Sequence, residues 1–305
     1  MAFTAKDVQY LREITGVGMM DCKKALTATD GDVDKAVDFL REKGMAAAAK
    51  KAGRIAAEGL VYAVVDPGAG RASIVEVNCE TDFAAKSDNF QAFIRGVAET
   101  VLSALPTGLQ ALLAAPFTGG TLTVEDVLRE KVLTIGENLQ IRRFEVFDQP
   151  VNMAYVHMGG KIGVLVNLKV SDNIKDDPKV TELGHDVAMQ VAAMRPQWLS
   201  DQEVDAASLE NEKAIYVTQA LADGKPQAVA EKIAAGRLAK LFAENCLLSQ
   251  AYVKENKMTV GEHVSAVAKE LGGEIAVTKF VRYEKGEGIA KREDNFADEV
   301  AKMVK

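Results

Sequence analysis

Cysteine is scarce in this chain: Cys22, Cys79 and Cys246 lie far apart, are odd in number and form no C-x-x-C pair. That excludes a disulfide framework and a cysteine-based zinc site, and it fits a reducing cytosol, so a cytoplasmic location is expected. Histidine is as scarce, and His157, His185 and His263 have no metal-ligand spacing. His185 and His263 fall in helical stretches and read as surface or boundary residues. Positive charge is outnumbered, with 37 Lys and Arg against 44 Asp and Glu. Phosphate binding relies on a basic surface, so nucleic acid is not the expected partner. No apolar run approaches the roughly 20 residues of a membrane span. The N-terminus enters an amphipathic helical pattern directly, so no signal peptide is expected.

The common nucleotide and metal motifs are missing too. Gly159-Gly160-Lys161 is followed by Ile162, where a phosphate loop needs Ser or Thr. Gly16-Val17-Gly18 has Asp at 21 and no strand before it, so it is a turn and not a dinucleotide fingerprint. Asp30-Gly31-Asp32 resembles a calcium loop only at its start, because the twelfth position is Arg41 and the sixth is not Gly. No Ser-His-Asp or Cys-His pattern is visible, and nothing selects a pair from the many carboxylates.

What is present is a repeat. Gly70-Arg71, Ile74 and Val75 match Gly160-Lys161, Val164 and Leu165, and Phe93, Val97, Ala98 and Val101 match Leu183, Val187, Ala188 and Val191. Further on, Thr123-Val124, Ile135-Gly136, Leu139, Ile141, Phe144 and Phe147 match Thr259-Val260, Leu271-Gly272, Ile275, Val277, Phe280 and Tyr283. The offset is 90 residues in the first half of the unit and 136 in the second, so the second copy carries an insert of about 46 residues. Each copy reads strand, strand, helix, helix, strand: an α+β fold built twice.

Around this core, residues 1–44 read as three short helices, broken at Gly16-Val17-Gly18 and at Asp30-Gly31-Asp32, with Asp32 as a helix cap and Gly44 as the end. Residues 45–57 are rich in Ala, Lys and Arg and read as a helical linker. The core halves are expected at 58–149 and at 150–204 with 250–285. The insert, 205–249, holds helical patterns at Leu209–Leu221 and Ala228–Leu248 around Gly224-Lys225-Pro226, a helical hairpin with little to bury except against itself or a partner. Phe296, Val300 and Met303-Val304 place an amphipathic helix in the tail, 286–305.

One surface feature is not duplicated. Thr81-Asp82-Phe83 follows the second strand of the first copy, ahead of a helix starting near Ser87; the second copy reads Ser171-Asp172-Asn173-Ile174 there. Phenylalanine is usually buried, so a core role for Phe83 stands beside an exposed one. The scaffold itself does not demand the ring. Met19-Met20, placed by the pattern in the first interhelical loop, reads either as a soft binding edge or as closure of the small helical core. His157 falls at the tip of the second hairpin, where contact residues concentrate.

Several segments in this order resemble the bacterial elongation factor Ts family, the guanine-nucleotide exchange factors of elongation factor Tu. They are Leu11-Arg12-Glu13 with Thr15 through Leu26, Gly31-Asp32, Ala49 through Gly53, Glu76 through Phe83, Ile135 through Asn138, His157 with Gly160 through Val166, Glu231-Lys232-Ile233 with Gly236-Arg237, and Gly286 through Ile289. The resemblance covers essentially the whole chain. It implies a ubiquitin-associated-like three-helix module, a duplicated core, a coiled-coil arm and a C-terminal helix. It implies a GTPase partner, no cofactor, no metal and no catalysis of the chain's own. Carried over, it places Thr81, Asp82, Phe83 and Ala84 at the exchange site near the partner's magnesium; the fourth position is often Val in the family. It gives Met19, Met20, His157 and Phe296 partner contacts. In some members the arm forms a homodimer, and the sequence leaves that open here. Two other classes remain at this stage: an enzyme whose site has no signature, and an adaptor using only the N-terminal helices.

Overall fold

The structure is a computed structural model, and it describes residues 3–290. The elements are α1 (Ala5–Thr15), α2 (Met19–Ala28), α3 (Val33–Lys51), β1 (Glu58–Asp66), β2 (Arg71–Cys79), α4 (Asp82–Lys86), α5 (Asp88–Ala104), α6 (Leu109–Ala114), α7 (Val124–Ile135) and β3 (Gln140–Asp148). They continue with β4 (Asn152–His157), β5 (Ile162–Val170), α8 (Pro178–Met194), α9 (Ala206–Ala222), α10 (Gln227–Asn245), β6 (Ala251–Tyr252), β7 (Glu255–Thr259), α11 (Val260–Leu271) and β8 (Ile275–Glu284). The described chain forms two compact units, one of residues 3–62, 75–144 and 284–290, the other of residues 63–74 and 145–283.

In the first unit, α1, α2 and α3 close on a small core of Val8, Leu11, Cys22, Ala25, Leu26, Ala36 and Leu40. Thr4 and Asp7 form a capping box at α1, and the Asp32 carboxylate accepts the Lys35 N–H at 3.1 Å to start α3. Gly44 does not end this helix, contrary to the sequence expectation. α3 runs on to Lys51, and a Cβ on Gly44 would stand 3.3 Å from the Arg129 carbonyl oxygen of α7. The glycine is there to let two helices approach, which local sequence does not distinguish from a stop. Leu133 of α7 also packs on the three-helix core, and Lys51 Nζ donates to the Val132 carbonyl at 3.2 Å.

The repeat is visible in the topology. One sheet has the order β1-β2-β3 and another the order β4-β5-β8. The central strands, β2 and β5, are buried along nearly their whole length, as strands covered on both faces are. β4 and β5 pair antiparallel from Asn152↔Asn167 to His157↔Ile162. Even the helix ends are repeated. α5 and α8 stop at the left-handed residues Leu105 and Arg195; α7 and α11 start at capping boxes from Thr123 and Thr259 and stop at left-handed Gly136 and Gly272. The second unit packs Val164, Val166 and Leu168 of β5 against Val180, Leu183 and Val187 of α8 and Val260 and Val264 of α11.

The insert is the helical pair α9 and α10, turned at Gly224 with φ 77°. Among its residues of described burial only Ala220, Ala230 and Ala234 are buried, while Ile215, Leu221 and Val229 stay exposed. α10 stops at Asn245, short of the expected Leu248, because Cys246 and Leu247 are drawn into the core. The short hairpin β6–β7 and helix α6 have no counterpart in the sequence reading. The expected tail helix, with Phe296, lies outside the described residues.

Candidate functional site

The unduplicated segment sits where β2 ends. Thr81, with extended backbone, caps the single-turn helix α4: its hydroxyl oxygen accepts the Ala84 N–H at 3.2 Å. Ser87 then caps α5 in the same manner, accepting the Phe90 N–H. Within α4 the residues diverge. Ala84 and Ala85 face inward and are buried, whereas Phe83 is 82% exposed. At the offset of 90, Ile174 matches Ala84 and likewise turns inward, into the core of its unit, while Phe83 matches the exposed Asn173. The buried alternative for Phe83 is therefore not what the chain adopts. An aromatic ring left this exposed forgoes roughly 2–3 kcal/mol of burial, which a folding role would not leave unused.

The turn beneath the ring is held tightly. β2 leaves the backbone N–H groups of Glu80 and Thr81 without strand partners, and both donate to Glu137 Oε2, at 2.9 and 3.0 Å. The Thr81 hydroxyl donates to Glu137 Oε1 at 2.6 Å. In return the Asn138 N–H donates to Glu80 Oε1 at 2.7 Å, and Asn138 Nδ2 to the Arg54 carbonyl at 2.8 Å. Arg54 also pairs with Glu80 at 3.3 Å. Gly136, at φ 87°, ends α7 and delivers Glu137 to this position. The Cys79 thiol donates to the Thr81 carbonyl at 3.1 Å, and burial, with the nearby Glu137 charge, pushes it up to about 12, so it is an inert packing group. Asp82 pairs with Lys86 at 2.6 Å, and the hydrogen bond from Lys86 holds its carboxyl below the usual range. Asp82 thus stays a carboxylate at neutral pH, beside the ring.

A second brace joins β2 to β3. Glu76 is fully buried and takes Arg142 at 3.0 Å, Arg143 at 2.6 Å and the Gly286 N–H at 2.7 Å. Arg143 reaches on to Glu287 at 3.0 Å. Burial of a carboxylate requires such a complement of charge and donors.

The remaining candidates are separate features. Met19 and Met20 lie in the first turn of α2, not in a loop, because Gly18 takes the capping position; both side chains are exposed, at 51% and 65%. His157 ends β4 and is exposed, with its Nδ1 2.9 Å from the Tyr155 hydroxyl. Next to it Met158 has φ 49° and is also exposed. His185 is exposed and His263 half-buried, a surface and a boundary residue as expected, and His263 stacks on Tyr252 at 4.2 Å between ring centroids. The roles of Glu137 and Asn138 were missed at the level of sequence. Their signal was present in the quoted Ile135–Asn138 segment, without any hint of what they hold.

Among the described residues no group of His, Cys, Asp and Glu could hold a metal ion, and no helix is long and apolar enough to cross a membrane.

Comparison with known proteins gives one answer. The family model described as "Elongation factor TS" matches residues 80–287. Curated proteins called elongation factor Ts are similar along nearly their full length. That of Clostridium perfringens (strain SM101 / Type A) is 50% identical over 98% of this chain and 98% of its own. The Symbiobacterium thermophilum protein is 50% identical over 99% of this chain and 98% of its own, and that of Syntrophotalea carbinolica is 50% identical over all of both.

Proposed function

Because the chain belongs to the elongation factor Ts family, we propose that Thr81, Asp82, Phe83 and Ala84 are the element with which it disturbs the magnesium site of elongation factor Tu. The chain is a guanine-nucleotide exchange factor: it binds elongation factor Tu carrying GDP, promotes GDP release and lets GTP rebind. It has no catalytic chemistry of its own. The single observation that carries the site reading is the Phe83 ring, exposed on a turn in which the Glu80, Thr81 and Ala84 N–H groups are all held by side-chain oxygens.

The energies explain why more than one contact is needed. A nucleotide held at nanomolar affinity is bound by about 12 kcal/mol. The factor need not cancel that; it must bind the empty GTPase more tightly than the loaded one, and the weakening is mutual. An acceleration of about 10⁴ needs about 5.5 kcal/mol off the release barrier. Seating one phenylalanine in an apolar slot contributes roughly 2–3 kcal/mol. The rest comes from further contacts, which we assign to Met19 and Met20 on the N-terminal three-helix module, to His157 at the hairpin tip of the second core half, and to the tail around Phe296. The modular division at 1–44, 45–57, 58–149, 150–204 with 250–285, 205–249 and 286–305 belongs to the same reading. So does the arm as a surface for a second copy, supported by the exposed Ile215, Leu221 and Val229.

The test is release of a fluorescent GDP from elongation factor Tu on adding the full chain. Release should accelerate steeply at low free Mg²⁺ and less as Mg²⁺ is raised. An acceleration indifferent to Mg²⁺ would remove the magnesium element of the reading; no acceleration would remove the reading itself.

A further inference from the structure

Phe83 is exposed, so no packing fixes its ring; its position is set by the backbone two residues away. That backbone is held chiefly by one side chain. Glu137 accepts three hydrogen bonds from two consecutive residues, with both oxygens engaged. The Thr81 hydroxyl, which donates to Glu137, also accepts the Ala84 N–H, so the carboxylate is linked through one oxygen to the first turn of α4, where the ring stands. The bracket is reciprocal, since Glu80 holds the Asn138 N–H. Hydrogen bonds to an ionised acceptor are the shorter and stronger kind, and two of these three fall at or below 2.9 Å. A wedge that transmits force to a partner needs such a foundation, because a turn that yields spends its binding energy on its own rearrangement.

From this geometry we infer that Glu137 is a positioning residue for nucleotide exchange: it does not touch the partner's nucleotide but locks the Thr81–Ala84 turn so that Phe83 is presented rigidly. The inference rests on the assignment of Phe83 to the exchange site and specifies how that site is held. Glutamine at 137 can keep its carbonyl oxygen on the two backbone N–H groups while its amide faces the Thr81 oxygen, so Glu137→Gln preserves most of the bracket. Glu137→Ala removes all of it.

The experiment is single-turnover release of fluorescent GDP from elongation factor Tu, titrated with full-chain wild type, Glu137→Ala, Glu137→Gln, Phe83→Ala and the Glu137→Ala/Phe83→Ala double variant. Misplacing a reacting or pressing group by about 1 Å commonly costs one to two orders of magnitude in rate. Glu137→Ala should lower the maximal release rate about tenfold while the half-saturating concentration moves less than about twofold, and Glu137→Gln should recover most of the loss. In the Phe83→Ala background, Glu137→Ala should add less than about a further twofold, because residues acting through one contact are not additive. Losses that multiply would show that Glu137 acts elsewhere and overturn the inference. So would a wild-type maximal rate for Glu137→Ala beside a slow Phe83→Ala, and that result would leave the site reading intact. A wild-type rate for Phe83→Ala would instead overturn the site reading. Should Glu137→Ala fold poorly, Thr81→Val removes the hydroxyl through which Glu137 is linked to the Ala84 N–H, leaving the two backbone bonds to Glu137 in place; its maximal rate should fall between those of wild type and Phe83→Ala, and a wild-type rate there overturns the inference as well.

Discussion

Phe83 and Ala84 are neighbours in one helical turn and face opposite ways: Phe83 is 82% exposed and Ala84 8%. Position 83 is therefore free of the fold and position 84 is part of it. Phe83→Ala should leave the melting temperature within about 1 °C of wild type, since exposed substitutions away from special features usually change stability by no more than about 0.5 kcal/mol. Ala84→Leu should lower it clearly, by overpacking worth about 1–3 kcal/mol. Thermal unfolding followed by circular dichroism checks both.

Glu76 carries a different kind of load. Its carboxylate is fully buried between Arg142, Arg143 and the Gly286 N–H. Removing one partner of a buried pair typically costs about 3–5 kcal/mol, because the remaining charges lose their complement. Both guanidinium groups are partly open to solvent, which moves the expected loss for Glu76→Ala toward the lower end, about 3 kcal/mol. Urea unfolding should show a lower midpoint with an unchanged slope.

The sequence reading recovered most of the elements because their signals are local. The periodicity of Phe93, Ile94, Val97 and Val101 marks α5, that of Val124, Val127, Leu128 and Val132 marks α7, and the repeat carries the same reading to α11. Gly44 was misread because a glycine that permits a close helix approach looks, in one dimension, like one that ends a helix. β6 and β7 escaped because Glu255-Asn256-Lys257 is polar and exposed, without alternation to mark a strand. At the site, the absence of a second copy singled out Phe83. The bracket could not be read the same way, since Glu137 and Thr81 are 56 residues apart and meet only in the fold.

All three cysteines are buried, and Cys79 is the most strongly perturbed, with its thiol raised from an ordinary value of 9.0 to about 12 chiefly by burial. The native protein should therefore consume a thiol reagent slowly at pH 8, and the unfolded protein should react at all three sites at once. A linked effect follows. Between about pH 9 and about pH 12 the unfolded chain has lost the Cys79 proton while the native chain still holds it, so this group makes stability fall as pH rises through that window. Cys79→Ala should flatten the decline in denaturant midpoint over the same range.

The most direct test of the account is the maximal rate of fluorescent GDP release from elongation factor Tu with saturating Phe83→Ala, measured beside wild type. Loss of roughly 2–3 kcal/mol of wedge binding corresponds to a fall of about 30-fold to about 160-fold. A rate at least tenfold below wild type, from a protein that melts as wild type does, is the expected result. Equal rates for the two proteins would contradict it.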